Sequence, residues 1–167
     1  MRSFPHETEA VADIIRATLE YNQSDGCLRW IARPTSSVKI GDIAGCSQEQ
    51  KAILIRINKR LYKAHRVCWL LHYGSWPTFY IDHINGIPSD NRLENLRPCT
   101  HAENMKNRRK AKNNSSGYVG VVWHDIAKKW AARIRDKHIG LYDRKEDASE
   151  AYKSEAKRLY GEFYRDA

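Results

Sequence analysis

Apolar residues recur at Val11, Ile14, Ile15 and Leu19, a helical spacing that predicts a helix over residues 7–19. Tyr21-Asn22-Gln23-Ser24-Asp25-Gly26 then reads as a turn, and Cys27-Leu28-Arg29-Trp30-Ile31 as a strand. Ile53, Ile55 and Ile57 alternate along the next apolar stretch. With a turn at Asn58-Lys59-Arg60 and a return through Leu61-Tyr62-Lys63, residues 51–63 predict a β-hairpin. Residues 64–73 place Val67, Leu70 and Leu71 on one helical face, and Gly74 supplies the stop. A short strand over 78–83 ends on Asp82-His83. A loop rich in Asn, Gly, Pro, Ser and Asp follows over 84–91, and Leu93 to Leu96 continues toward Thr100. Thr100-His101-Ala102-Glu103 fits a capping box, so a helix is expected from about His101 to Arg109. Beyond it lie three strand candidates, 118–123, 129–134 and 137–142. A helix over 145–160 follows, with Ala148, Ala151, Tyr152, Ala156, Leu159 and Tyr160 on one face and Asp143 with Glu146 as its cap. Three strands and a helix form a small unit able to bury one sheet face. The expected fold class is α+β, with no internal repeat.

Charge changes the picture next. The 167 residues carry a net charge of +9, with 41% hydrophobic residues and a mean hydropathy of -0.72. A small chain this basic favours polyanions, nucleic acid first among them. Residues 1–112 carry 18 basic and 11 acidic side chains, and residues 113–167 carry 11 and 9, so +7 of the excess lies in the first part. Lys106 to Gly117 is basic and then polar and small, which places a linker at 111–116 between modules at 1–110 and 117–167. No apolar run approaches the roughly 20 residues of a membrane span, and residues 1–10 lack a signal-peptide core. Cys27, Cys46, Cys68 and Cys99 form no C-x-x-C pair. That argues against a zinc ribbon or a redox pair, and for reduced core or near-core thiols in a cytosolic protein.

The chemistry is concentrated between residues 81 and 107. Hydrolysis of a phosphodiester needs a base for water, a hard cation for the developing charge, and a group that orients the base. Asp82 is a hard oxygen donor suited to magnesium or manganese. His83 can take a proton near neutral pH. Asn95 could accept a hydrogen bond from the His83 ring, and Asn104, one turn into the capped helix, supplies an amide oxygen. His101 and Asn107 are rival ligands from the same helix, and His65 on the preceding helix reads as structural or as a phosphate contact. Arg92, Arg97, Lys106, Arg108, Arg109, Lys110 and Lys112 flank the site as candidate phosphate contacts.

Ile81-Asp82-His83-Ile84-Asn85-Gly86, Asp90-Asn91-Arg92-Leu93-Glu94-Asn95-Leu96-Arg97 and Glu103-Asn104-Met105-Lys106-Asn107 together resemble the HNH family, in particular the phage and intron-encoded homing endonucleases. The likeness spans roughly residues 15–108. It implies a ββα-metal fold, Asp82 and Asn104 as ligands of one divalent cation (magnesium or manganese, not zinc), His83 as general base, and Asn95 as the residue that orients it. The third motif position is an asparagine rather than a histidine, a departure shared by the homing-type subgroup.

Residues 116–164 are similar to the apetala-two (ethylene-response-factor) DNA-binding domain. The likeness rests on Ser116-Gly117-Tyr118-Val119-Gly120-Val121-Val122-Trp123, Lys129-Trp130-Ala131-Ala132-Arg133-Ile134-Arg135, Gly140-Leu141-Tyr142, and Ala148 with Ala151-Tyr152. It implies a three-stranded sheet facing DNA, with Trp123, His124, Arg133, Arg135, Lys137 and His138 as contacts. Val119 and Val122 stand where plant members carry arginines, so no base preference carries over.

The expectation is a metal-dependent DNA endonuclease, a monomeric homing-type nickase of phage or mobile-element origin acting on double-stranded DNA in a bacterial cytoplasm. The alternatives are a DNA-binding regulator without activity and a non-specific or packaging-associated phage nuclease.

Overall fold

The computed structural model describes residues 4–46, 51–106 and 114–164. Contacts divide the chain into two compact units, residues 1–100 and 101–167.

In the first unit, α1 (Glu9–Thr18) is capped by the Thr8 side chain, which accepts from the Val11 amide. The predicted helix loses its last residue to β1 (Leu19–Asn22), which pairs antiparallel with β2 (Cys27–Trp30). β3 (Leu54–Ile57) and β4 (Arg60–Lys63) form the expected hairpin. Asn58 and Lys59 both take positive φ, 46° and 64°, the requirement of a two-residue turn matched to strand twist. α2 (Ala64–Tyr73) ends at Gly74, whose φ of 78° gives a left-handed C-cap. β5 (Tyr80–His83) pairs antiparallel with β6 (Leu96–Cys99), and a 3-10 turn at Leu93–Asn95 leads into β6. Ile15, Leu19, Leu28, Ile55, Val67 and Leu70 form the heart of this core.

The second unit holds α3 (His101–Lys106) and a three-stranded antiparallel sheet, β7 (Val121–His124), β8 (Lys129–Ile134) and β9 (Lys137–Tyr142), with α4 (Lys145–Tyr160) packed on it. Its core is small: Val121, Ala132 and Ala148, surrounded by half-buried Tyr118, Trp130, Ile139, Tyr142 and Tyr152. The expected strand from Tyr118 begins only at Val121. Gly117 and Gly120 take φ of 81° and 71°, and a Cβ on Gly120 would lie 2.2 Å from the Tyr152 ring. The residue at the α4 N-cap is Arg144, without a side-chain cap bond, and Asp143 instead pairs with Lys129 at 3.0 Å. The expected Asp143 cap is therefore not formed. Small antiparallel sheets with separate helices make this an α+β chain.

Cys68 and Cys99 are buried and Cys27 is half-buried, but Cys46 is exposed, against its expected place near a core. None of the four is in a disulfide among the described residues. No helix among the described residues is long and apolar enough to cross a membrane. The expected linker at 111–116 lies partly, and the expected helix end at 107–109 wholly, outside the described residues.

Candidate active site

β5 delivers Asp82 and His83 together, 5% and 8% exposed. Successive side chains on a strand point to opposite faces, so the two residues serve different neighbours. Asp82 lies directly across from Arg97 in the β5–β6 register. The Arg97 Nε and Nη2 donate to Asp82 Oδ2 at 3.0 and 2.8 Å. The arginine expected to reach for phosphate is thus engaged with the expected metal ligand, its side chain only 15% exposed.

His83 meets buried Asn91, whose Oδ1 lies 3.1 Å from Nε2. An amide oxygen only accepts, so Nε2 carries the proton and the lone pair of the neutral ring is on Nδ1. Burial holds the His83 pKa below its ordinary value of 6.5, against the opposing pull of Asn91, Asp82 and Asp90. The ring is therefore a base at neutral pH.

Asn95 does different work from that expected. Its Oδ1 accepts from the Asn85 amide at 2.9 Å and its Nδ2 donates to the Asp90 carbonyl at 2.8 Å. Asn95 ties both ends of the 84–91 loop, and the ring contact expected of it is made by Asn91, which sequence reasoning missed. The loop carries more such ties. Asn85 Nδ2 donates to Asp90 Oδ2 at 2.7 Å, the Gly86 amide donates to the His83 carbonyl, and the Tyr21 hydroxyl donates to the Asn91 carbonyl at 3.0 Å. Arg92 grips both Asp90 oxygens, at 2.9 and 2.8 Å, and holds that carboxyl down at about 2. Arg92 also pairs with Glu94 at 3.0 Å, so its charge is largely answered within the loop.

His65, at the start of α2, stands edge-to-face with His83, ring centroids 5.1 Å apart and planes at 83°. It is 7% exposed, and its Nδ1 has no hydrogen-bond partner among the described residues. Burial, then the neighbouring His83, Lys63 and Arg66, push its pKa well below 6.5. The position favours packing against the base over a phosphate contact.

These two histidines make stability depend on pH. Both have folded-state pKa values below the unfolded one, so the unfolded chain binds more protons as pH falls below about 6.5. Stability is full above that value and declines below it, by up to about 1.4 kcal/mol per pH unit for each histidine. Urea denaturation at pH 7.5 and 5.5 should show this loss, and His65→Phe should reduce it. An unchanged pH dependence in that variant would contradict the assignment to His65.

Asn104, half-buried on α3, belongs to the second unit, as does exposed His101. The Lys106 side chain, Asn107, Arg108, Arg109, Lys110 and Lys112 lie outside the described residues. Among the described residues no three His, Cys, Asp or Glu side chains come together as a metal-binding group. The expected ligand set has one carboxylate, so its fit rests on Asp82. That group is a buried hard oxygen donor, the ligand type a hard divalent ion takes.

The sheet of the second unit divides its expected DNA contacts by face. Val121, Trp123, Trp130, Ala132 and Tyr142 share the α4 side through the pairings Val121↔Ala132 and Trp123↔Trp130↔Tyr142. Trp123 is therefore on the helix side, its ring 5.1 Å from Trp130. Lys137 donates to Glu155 on α4 at 2.7 Å, and Arg135 lies 5.6 Å over the Tyr160 ring. Lys137 and Arg135 thus reach α4, and Trp123, 43% exposed, shares that side of the sheet. His124, Arg133 and His138 remain on the outer face with exposed Val122 and Leu141.

Comparison with known proteins fits the first site. Residues 62–106 match the HNH endonuclease family model, a span that includes β5, the loop, β6 and α3. The chain is also 36% identical over 80 residues to Protein 3.8 of Escherichia phage T7. That alignment covers 46% of this chain and 66% of the phage protein, so the chain spans just under two thirds of that relative's length. No solved structure matches the chain.

Proposed function

We propose that this protein is a metal-dependent DNA endonuclease of the HNH type. The observation that carries the reading is the buried Asp82–His83 pair, with the His83 ring hydrogen-bonded to Asn91 and kept neutral by burial. The family match over residues 62–106 supports it independently.

His83 Nδ1 takes a proton from the attacking water, and the resulting hydroxide forms the new P–O bond as the bond to the leaving sugar oxygen breaks. Asn91 keeps accepting from Nε2–H, so the ring does not turn away as it becomes charged. Asn95 holds the loop that carries Asn91, a positioning role. Asp82 with Asn104 would hold the divalent cation, magnesium or manganese, whose charge stabilises the transferring phosphoryl group when bound. Arg92 and the basic run from Lys106 would add phosphate contacts, and the outer sheet face with His124, Arg133 and His138 would add a second grip on double-stranded DNA.

The finer reading is a monomeric homing-type nickase of phage or mobile-element origin, working in the cytoplasm of a bacterial host. Likeness to a phage protein supports the origin. A single HNH site per chain cuts one strand at a time. A purified monomer should therefore turn supercoiled plasmid into open circles before any linear DNA appears. Linear product from the first turnover would exclude nicking by one site.

A further inference from the structure

Arg97 is a basic residue on a strand of the candidate site, yet it points at Asp82 rather than outward. It lies opposite Asp82 in the register, and its Nε and Nη2 both reach Oδ2, at 3.0 and 2.8 Å. The two side chains are 15% and 6% exposed, so solvent screens the pair weakly. A carboxylate this buried needs a positive partner to stay ionised, and the guanidinium supplies it. A divalent cation on the same carboxylate would stand a few ångströms from the guanidinium, and the two like charges would repel strongly at that range. Asp82 would therefore have two cationic partners whose charges compete for one carboxylate.

We propose that Arg97 is a positioning residue that holds the Asp82 carboxylate in the place of the metal, and that metal binding displaces it toward the scissile phosphate. This rests on the metal site proposed at Asp82. Two consequences distinguish the exchange from a fixed structural ion pair. Arg97 competes with the metal, so the wild-type chain binds it more weakly than Asp82 alone would allow. The displaced guanidinium is a planar fork matched to phosphate oxygens, so its loss slows cutting even when metal is saturating.

The test is a titration of the full chain with Mn2+ in the absence of DNA, free Mn2+ being read by electron paramagnetic resonance. Arg97→Met should bind Mn2+ at least tenfold more tightly than wild type, equal to about 1.4 kcal/mol, and should cut DNA more slowly at saturating metal. Equal or weaker binding by that variant overturns the proposal. Should Arg97→Met fail to fold, the wild-type chain serves. The Arg97 Nε–H resonance should shift saturably with added Mg2+, and a resonance unmoved at saturation overturns the proposal. Asp82→Asn separates the two levels. If it binds Mn2+ as tightly as wild type, the metal site itself is wrong. If it loses binding while Arg97→Met gains none, only the exchange is wrong.

Discussion

His83→Ala should lower the rate of DNA cutting by roughly 10²–10⁴-fold, the usual contribution of a positioned general base. DNA affinity should change little, because the residue is buried at the end of β5 and the candidate contacts lie elsewhere. The fold should survive. The substitution removes one ring packed beside His65 and leaves Asn91 Oδ1 without its ring donor, a loss of about 1 kcal/mol for the hydrogen bond. Single-turnover cutting, a binding titration and a thermal melt on the same preparation check all three statements. A variant that binds, melts normally and still cuts at the wild-type rate would remove His83 from the mechanism. Asn91→Ala should fall between the two, because the ring remains but its orientation is no longer fixed.

The second large effect is on stability. Arg66, 4% exposed in its side chain, is the hub of the first unit. Its Nε and Nη2 donate to both oxygens of Glu7, at 2.6 and 2.5 Å. Nη1 and Nη2 also donate to the carbonyls of Phe79 and Pro77, at 2.8 and 2.6 Å, and the guanidinium lies 3.7 Å from the centre of the Phe4 ring. One side chain on α2 thus ties the N-terminal segment to the residues that lead into β5. Arg66→Met leaves the Glu7 carboxylate, 11% exposed, and two carbonyls without their donor. Breaking a buried pair on one side costs about 3–5 kcal/mol. In a unit near 100 residues that lowers the melting temperature by more than about 10 °C. Removing the stranded carboxylate as well, in Glu7→Leu with Arg66→Met, should recover part of the loss. A single-variant loss below about 1 kcal/mol would show that the network is not the tie described.

The site was more legible in the sequence than the surfaces around it. Asp82 and His83 are adjacent, end a strand pattern and carry their chemistry in their side-chain types, so no tertiary information was needed to find them. The choice between Asn91 and Asn95 as the partner of the ring was different. Asn91 ends the polar loop and Asn95 ends the 3-10 turn after it, and which amide reaches His83 depends on the path of residues 84–91, set by ties such as Asn85 to Asp90. The signal available was the unbroken run Asp90-Asn91-Arg92 beside the motif, but nothing in it states a direction. The pairing of Arg97 with Asp82 was hidden for a related reason. A basic residue two positions beyond a motif asparagine reads as a phosphate contact until the β5–β6 register sets it across from Asp82.

The sheet of the second unit shows how one shift propagates. Side chains alternate along a strand, so neighbours such as Trp123 and His124 cannot both face outward. The start of β7 at Val121 fixes which of them does. Glycines at 117 and 120, with positive φ and with the Tyr152 ring against Gly120, set that start, and this contact joins residues 32 positions apart in the chain. The α4 cap failed in the same way, since Asp143 found Lys129 across the sheet instead of the helix amides.

The most direct test of the central claim is incubation of the purified chain with supercoiled plasmid and Mg2+, beside the same reaction with EDTA and with Asp82→Asn. Open circles formed by the wild type alone are the predicted result. Equal cutting in the presence of EDTA or by Asp82→Asn would contradict a metal-dependent site built on Asp82 and His83.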